Sequence, residues 1–98
     1  MKSIIITKGI NETLDLRILE FIINTLQTMG DKKVGEDIDY LQVFETNGNK
    51  LINSSEMPEK KEEYILPFKY EENTVIWAIH GIDEKYGQYW TIMYPSEY

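Results

Sequence analysis

His80 is the only imidazole in the chain, and Asp83, Glu84 and Tyr86 follow it closely. A histidine with a carboxylate or phenol beside it is the smallest set able to perform general acid–base chemistry, provided a pocket holds the substrate and a second group orients the ring. His80 with Glu84 or Tyr86, in a pocket between helix and sheet, therefore gives one reading: a small enzyme or ligand-binding protein. The surroundings argue against it. Ile79, Gly81 and Ile82 are sheet-type neighbours, and Asp83 and Glu84 fall where a turn is expected, with Asp an ordinary turn residue. Asp37 and Asp39 flank Ile38 and would share one side of an extended segment, as metal-binding carboxylates do. Two carboxylates cannot supply the six or more oxygens that calcium takes, so solvation at the surface is the expectation. The chain has no phosphate-cradling glycine loop, metal-spaced His pair or nucleophile elbow. No catalytic, cofactor-binding or metal-binding residue is assigned, and the balance leans away from an enzyme.

The aromatics carry more information. Tyr64, Phe68, Tyr70, Trp77, Tyr86, Tyr89, Trp90, Tyr94 and Tyr98 all lie in the C-terminal half. Their first use is core packing and cross-strand pairing. Their second is a binding face, because Trp and Tyr dominate interface energetics. Tyr64, Phe68, Tyr70, Trp77, Tyr89 and Trp90 form the candidate interaction set. The leading expectation is a non-enzymatic protein that meets an unidentified protein partner, or a second copy of itself as a homodimer, through an aromatic sheet face.

Charge narrows the partners. Ten Lys and Arg against 17 Asp and Glu leave a net charge of −7, and Arg17 is the one arginine. A nucleic-acid binder needs a basic stripe, and base stacking on aromatics needs a basic groove, so direct nucleic-acid binding is not expected. The acidity leaves a third reading open, an inhibitor that mimics nucleic acid in a basic protein site. No apolar run approaches the roughly twenty residues of a membrane span. Met1-Lys2-Ser3-Ile4-Ile5-Ile6 lacks the apolar length and cleavage site of a signal peptide. With cysteine also absent, a reducing cytoplasm suits the chain, and the N-x-S/T patterns at Asn11 and Asn53 have no secretory context.

The elements that must position these residues follow from pattern. Ser3–Thr7 is a β-branched run closed by Lys8-Gly9. Leu16, Leu19, Ile22, Ile23 and Leu26 recur at helical spacing, predicting one amphipathic helix over 14–29 with Thr13 or Asp15 as its cap and Gly30 as a left-handed terminator. Residues 31–38 read as a surface connection. Asp39–Glu45 is a strand, and Asn47-Gly48 predicts a type I′ turn that sets Glu45 against Lys50, Phe44 against Leu51 and Val43 against Ile52. Bulk on both sides of this strand predicts a central position under the helix. Residues 53–63 read as a charged connection. Tyr64–Tyr70 reads as an edge or bulged strand because Pro67 lacks a donor. A turn at Glu72-Asn73 would set Phe68 opposite Trp77 and Tyr70 opposite Val75. Thr74–His80, a turn over Asp83–Gly87, and Gln88–Tyr94 stopped by Pro95 complete the chain.

The expectation is a single domain over residues 1–98 of α+β class: a mainly antiparallel sheet of about five or six strands with one amphipathic helix packed on one face. Either both sheet faces are partly covered, or one exposes an apolar patch.

Thr7-Lys8-Gly9-Ile10, the run Asp39–Glu45, Glu56-x-Pro58-Glu59 followed by Tyr64, and the ending Thr91–Tyr98 lie in an order and spacing that span nearly the whole chain. In these pieces the chain resembles the uncharacterised domain-of-unknown-function family 960 of staphylococci and related low-GC Gram-positive bacteria. It departs from that pattern in an Ile-richer helix and in Ala78-Ile79-His80-Gly81. The resemblance implies a cytoplasmic single-domain bacterial protein and brings no catalytic residues with it.

Overall fold

A computed structural model describes residues 2–30 and 32–98 of the chain; Met1 and Asp31, the first residues of the leader reading and of the 31–38 connection, lie outside the described residues. The chain is α+β, with a six-stranded, mostly antiparallel sheet and one main helix. β1 (Ser3–Ile6) leads through α1 (Lys8–Thr13) to α2 (Leu16–Thr28). β2 (Leu41–Asn47), β3 (Lys50–Glu56) and β4 (Glu59–Ile65) follow as consecutive antiparallel strands. β5 (Val75–Asp83), β6 (Gly87–Met93) and a 3-10 turn over Pro95–Glu97 end the chain. The strands are ordered β1-β6-β5-β2-β3-β4, with β1 parallel to β6. β2 is thus central, as its two bulky sides require.

The helix forms where its periodicity places it. Asp15 is the N-cap, its Oδ1 accepting from Arg17 N at 2.8 Å. Ile18, Leu19, Ile22, Thr25 and Leu26 are buried against the sheet. Its C-terminus differs from expectation. Gly30 does not take a positive φ. The last turn tightens instead, with Met29 N donating to Leu26 O and Gly30 N to Gln27 O at 3.1 Å each. α1 departs from expectation too. Thr7 caps it by accepting from Ile10 N at 3.3 Å, and the fully buried Ile10 anchors it, so Lys8-Gly9 begins a helix rather than merely ending a strand.

The β2–β3 register is displaced by two residues. Asn47 pairs with Lys50, Glu45 with Ile52 and Phe44 with Asn53, so Gly48 and Asn49 are the turn residues. Gly48 has φ +62°, and no non-glycine residue has positive φ. Glycine at the first central position alone in that region marks a type II′ turn rather than type I′. A two-residue shift preserves parity, so Phe44 and Leu51 still share the buried face.

Two segments exchange roles relative to expectation. Residues 53–63 are not a connection: they supply half of β3 and most of β4, joined at Met57-Pro58 by a cis peptide bond. Conversely, Tyr64–Tyr70 is not a strand beyond Ile65, and β5 pairs with β2 and β6. Neither the Phe68–Trp77 nor the Tyr70–Val75 pairing exists. Residues 66–74 form an irregular strap held by local bonds. Leu66 N and Tyr70 N donate to Asn49 O and Gly48 O, and the buried Thr46 hydroxyl donates to Glu72 O and accepts from Thr74 N. Leu66 is buried, and the Arg17 guanidinium stacks 4.0 Å above Phe68. The apolar side chains that suggested a strand are satisfied by this packing instead.

Candidate functional site

Strand parity sorts the sheet into two faces. Ile4, Trp90, Ala78, Ile76, Phe44 and Leu51 point toward α2 and, with the helix and Ile92, make the core. The opposite face carries Ile5, Met93, Trp77, Ile79, Val43 and Ile52 on adjacent strands. No described helix covers this second face. Its Ile5 is half exposed, and Val43, Ile52, Trp77, Ile79 and Met93 are buried only in part, by one another. Tyr98 adds an edge-on contact to Trp77, with ring centroids 5.9 Å apart.

The six candidate residues do not form one surface. Trp77 and Tyr89 lie on the open face. Trp90 follows Tyr89 and so points the other way; it is 1% exposed and belongs to the core, where it offers nothing to a partner. Its Nε1 is the buried side-chain polar atom without a hydrogen-bond partner among the described residues. Tyr64 packs at the far side against Phe21, centroids 5.5 Å apart, and donates to Glu62 at 2.6 Å. Burial and that carboxylate push the Tyr64 phenol up to about 12. Phe68 and Tyr70 sit in the strap beside the start of α2. Aromatic type grouped these residues; strand parity separates them. The readable signal was alternation within β2, β5 and β6, where odd-numbered Leu41, Val43, Val75, Trp77, Ile79 and Met93 are also apolar. Both faces of the central strands demand cover, and the chain has one long helix to give.

Tyr89 also explains Gly81, its register partner. A Cβ on Gly81 would lie 2.5 Å from Tyr89 Cζ, so the phenol ring occupies the space a side chain would need. An aromatic laid over a cross-strand glycine restores the contact that glycine lacks.

The polar candidates serve the scaffold. His80 Nε2 meets Gln88 Oε1 at 3.0 Å, and its ring packs edge-on to Trp90 at 5.2 Å. Burial, opposed by the Gln88 bond and aided by Lys2, holds its pKa below the ordinary imidazole value. Neither Glu84 nor Tyr86 bonds to it; Tyr86 N instead donates to Asp83, which builds the turn as expected. Asp37 and Asp39 do not converge. Asp37 accepts from Lys33 N at 3.1 Å. Asp39 is only 7% exposed and accepts from Leu41 N on one oxygen and from Glu56 N and Met57 N on the other, at 3.2, 3.2 and 2.9 Å. Burial raises its pKa, but the backbone amides prevail and hold it below the usual carboxylate range.

Two shallow clefts adjoin the open face where β2, β3 and β4 meet the 35–41 connection. One, of about 580 Å³, runs along Ser54, Glu59 and Lys61; the other, of about 330 Å³, lies between Gly35, Tyr40, Leu41 and Met57, and Val43 borders both. Asp39 lines the second, with both oxygens already engaged by amides. The first cleft is lined mainly by polar and charged side chains, and the second brings Tyr40, Leu41 and Met57 beside the amide-bound Asp39.

Fold and surface together define an α+β protein with one covered and one open sheet face. No family profile, curated protein or solved structure matches the chain. No described helix is long and apolar enough to cross a membrane.

Proposed function

We propose that the chain is a non-enzymatic interaction domain that works through the sheet face opposite α2. The carrying observation is the contiguous apolar patch around Trp77 and Ile79, which neither α1 nor α2 covers and which Tyr98 touches at Trp77. Soluble monomers rarely expose contiguous apolar patches larger than a few hundred Å², and larger ones mark interaction sites. Charge supports the same face. Glu45 on β2, between Val75 and Ile52, is among the described residues the one charged side chain beside the Val43, Trp77 and Ile79 patch, while Lys50, Lys61, Glu59 and Glu63 gather toward the β4 margin, so most of the charge on this face lies at the rim of the apolar patch. The mixture of Lys and Glu along β4 fits poorly with an inhibitor built to mimic a line of phosphates. The absence of cysteine favours work in the cytoplasm, and the quoted motifs favour placement with bacterial family 960.

The test is photo-crosslinking in the cells of origin. A photoreactive residue at Ile52, on the open face, is expected to form covalent protein adducts, and one at Glu20, on the outer side of α2, is not. Equal adducts from both positions, or none from either, would overturn the proposal.

A further inference from the structure

We infer that the segment Pro95–Tyr98 is the chain's own cover for the open face: Glu97 pins it at the junction of β1 and α1, Tyr98 lies against Trp77, and a protein partner must displace that ring to reach the patch. The inference rests on the interaction-face reading above and adds to it the way the face is held in check. The strand before the segment sets its place. β6 runs between β1 and β5, and Met93, its last residue, is the register partner of Trp77. Pro95 has no N–H to continue the ladder. The chain turns there, with Glu97 N donating to Tyr94 O at 2.9 Å and Tyr98 N to Pro95 O at 3.3 Å. The turn brings the Tyr98 ring edge-on to Trp77, with centroids 5.9 Å apart.

Glu97 is the anchor. Its Oε1 accepts from the Thr7 hydroxyl at 2.8 Å and from Tyr94 N at 2.9 Å. Its Oε2 lies over Gly9, where a Cβ would come within 2.6 Å of it, so the missing side chain is what admits the carboxylate. Thr7 is shared with the helix: its hydroxyl donates to Glu97 and accepts from Ile10 N at 3.3 Å, which ties the segment to the cap of α1. Tyr94 OH meets Thr13 Oγ1 at 2.8 Å at the other end of α1. The Tyr94 amide and the Thr7 hydroxyl, with a smaller part from the Gly9 amide, outweigh desolvation and hold the Glu97 carboxyl below the usual carboxylate range.

The cover is slight by comparison. Tyr98 is 85% exposed, and Trp77 keeps part of its surface in water. An edge-on aromatic pair shifts a population by roughly two- to tenfold. A partner that competes with such a contact is weakened by about the same factor. Anchor and cover thus differ in strength: bonds to a charged acceptor fix the turn, while a ring edge rests on the patch. A segment held firmly at its base and lightly at its tip is a latch, which a protein surface with more apolar contact to offer can open. Loosening the anchor frees the face without altering any residue of it.

NMR of the purified chain and crosslinking in cells test this together. Wild type is expected to show cross-peaks between the Tyr98 ring and the Trp77 indole. Glu97→Ala should lose them, and so should Gly9→Ala, whose added Cβ evicts the carboxylate while Glu97 and Tyr98 both remain. Circular dichroism checks that each variant folds. Glu12→Ala removes another exposed acid, from α1, and should keep the cross-peaks. In the cells of origin, a photoreactive residue at Ile52 should yield roughly two- to tenfold more protein adducts in Glu97→Ala and Tyr98→Ala than in the parent chain. Cross-peaks absent from wild type, or surviving in Glu97→Ala, overturn the latch. So do adducts that stay equal or fall once the cross-peaks are gone; the interaction face then stands, because Ile52 still captures a protein. No adducts from Ile52 in any variant retires the interaction face, and the latch with it.

Discussion

Removing the Asp39 carboxylate is expected to loosen the β3–β4 hairpin more than any change at an ordinary surface acid. Asp39 is 7% exposed and its carboxylate receives three backbone amides, one from the start of β2, one from the last residue of β3 and one from the turn beyond it. Bonds to a charged acceptor contribute about 1.5–3 kcal/mol each, but they are not additive, and the amides of an outer turn regain water when the acceptor is gone. For Asp39→Ala we expect a loss of about 2–4 kcal/mol. Asp39→Asn keeps one acceptor oxygen and turns an NH2 toward the remaining donors, so it should fall between wild type and Ala. Urea denaturation gives the magnitude as a shift in midpoint at constant slope. Amide hydrogen exchange gives the mechanism: Glu56 and Met57 should lose protection in the variant while the β5–β6 amides keep theirs. The sign of the pH dependence follows from the depressed pKa. The contribution is complete above the unfolded value of about 3.9 and is lost as pH falls through the lower folded value, so wild type and Asp39→Asn should converge in acid. An Asp39→Ala variant within about 0.5 kcal/mol of wild type, or one whose Glu56 and Met57 amides stay protected, would refute this role for the carboxylate.

Gly81→Ala should displace the Tyr89 ring at a cost of about 1–2 kcal/mol, seen as a Tm lowered by several degrees; Tyr89→Ser should relieve part of that cost in the double variant, and simple additivity would show that the two sites do not collide. Asp15 is held down to about 2, chiefly by its side-chain bond to Arg17. Its folded pKa lies below the unfolded value, so its capping contribution is present above pH 4 or so and disappears as pH falls toward about 2; an NMR titration placing Asp15 at an ordinary carboxylate value would contradict that assignment.

The edges and faces of the sheet manage exposure differently. β4 is an edge strand, and six of its seven residues are exposed, with charges of both signs from Glu59 to Glu63. Charges on an edge discourage another chain from pairing there. The open face carries one carboxylate on its central strand β2, Glu45, beside Val75 and Ile52.

Local sequence determines the elements whose physics is carried by neighbours along the chain. α2 was expected over 14–29 and is found over Leu16–Thr28, because its apolar period, Asp15 cap and polar outer face are all local. The β5–β6 hairpin was equally legible, because Asp83 accepts from Lys85 N and Tyr86 N and Gly87 takes a φ of +82°. β4 was not legible: an edge strand exposed along nearly its whole length needs no apolar alternation, so Glu59–Glu63 reads as a loop. The strap after Ile65 failed in the opposite sense. Leu66, Phe68 and Tyr70 are apolar enough for a strand, but what buries them is α2 and the loop at Gly48, distant in sequence. The candidate surface divides the same way. That both faces of the central strands are apolar follows from alternation alone. Which face receives the helix, that Trp90 falls beneath it, and that Trp77 is left outside depend on strand order β1-β6-β5-β2-β3-β4. Order and cover arise from contacts between residues far apart in the chain, and no local pattern encodes them.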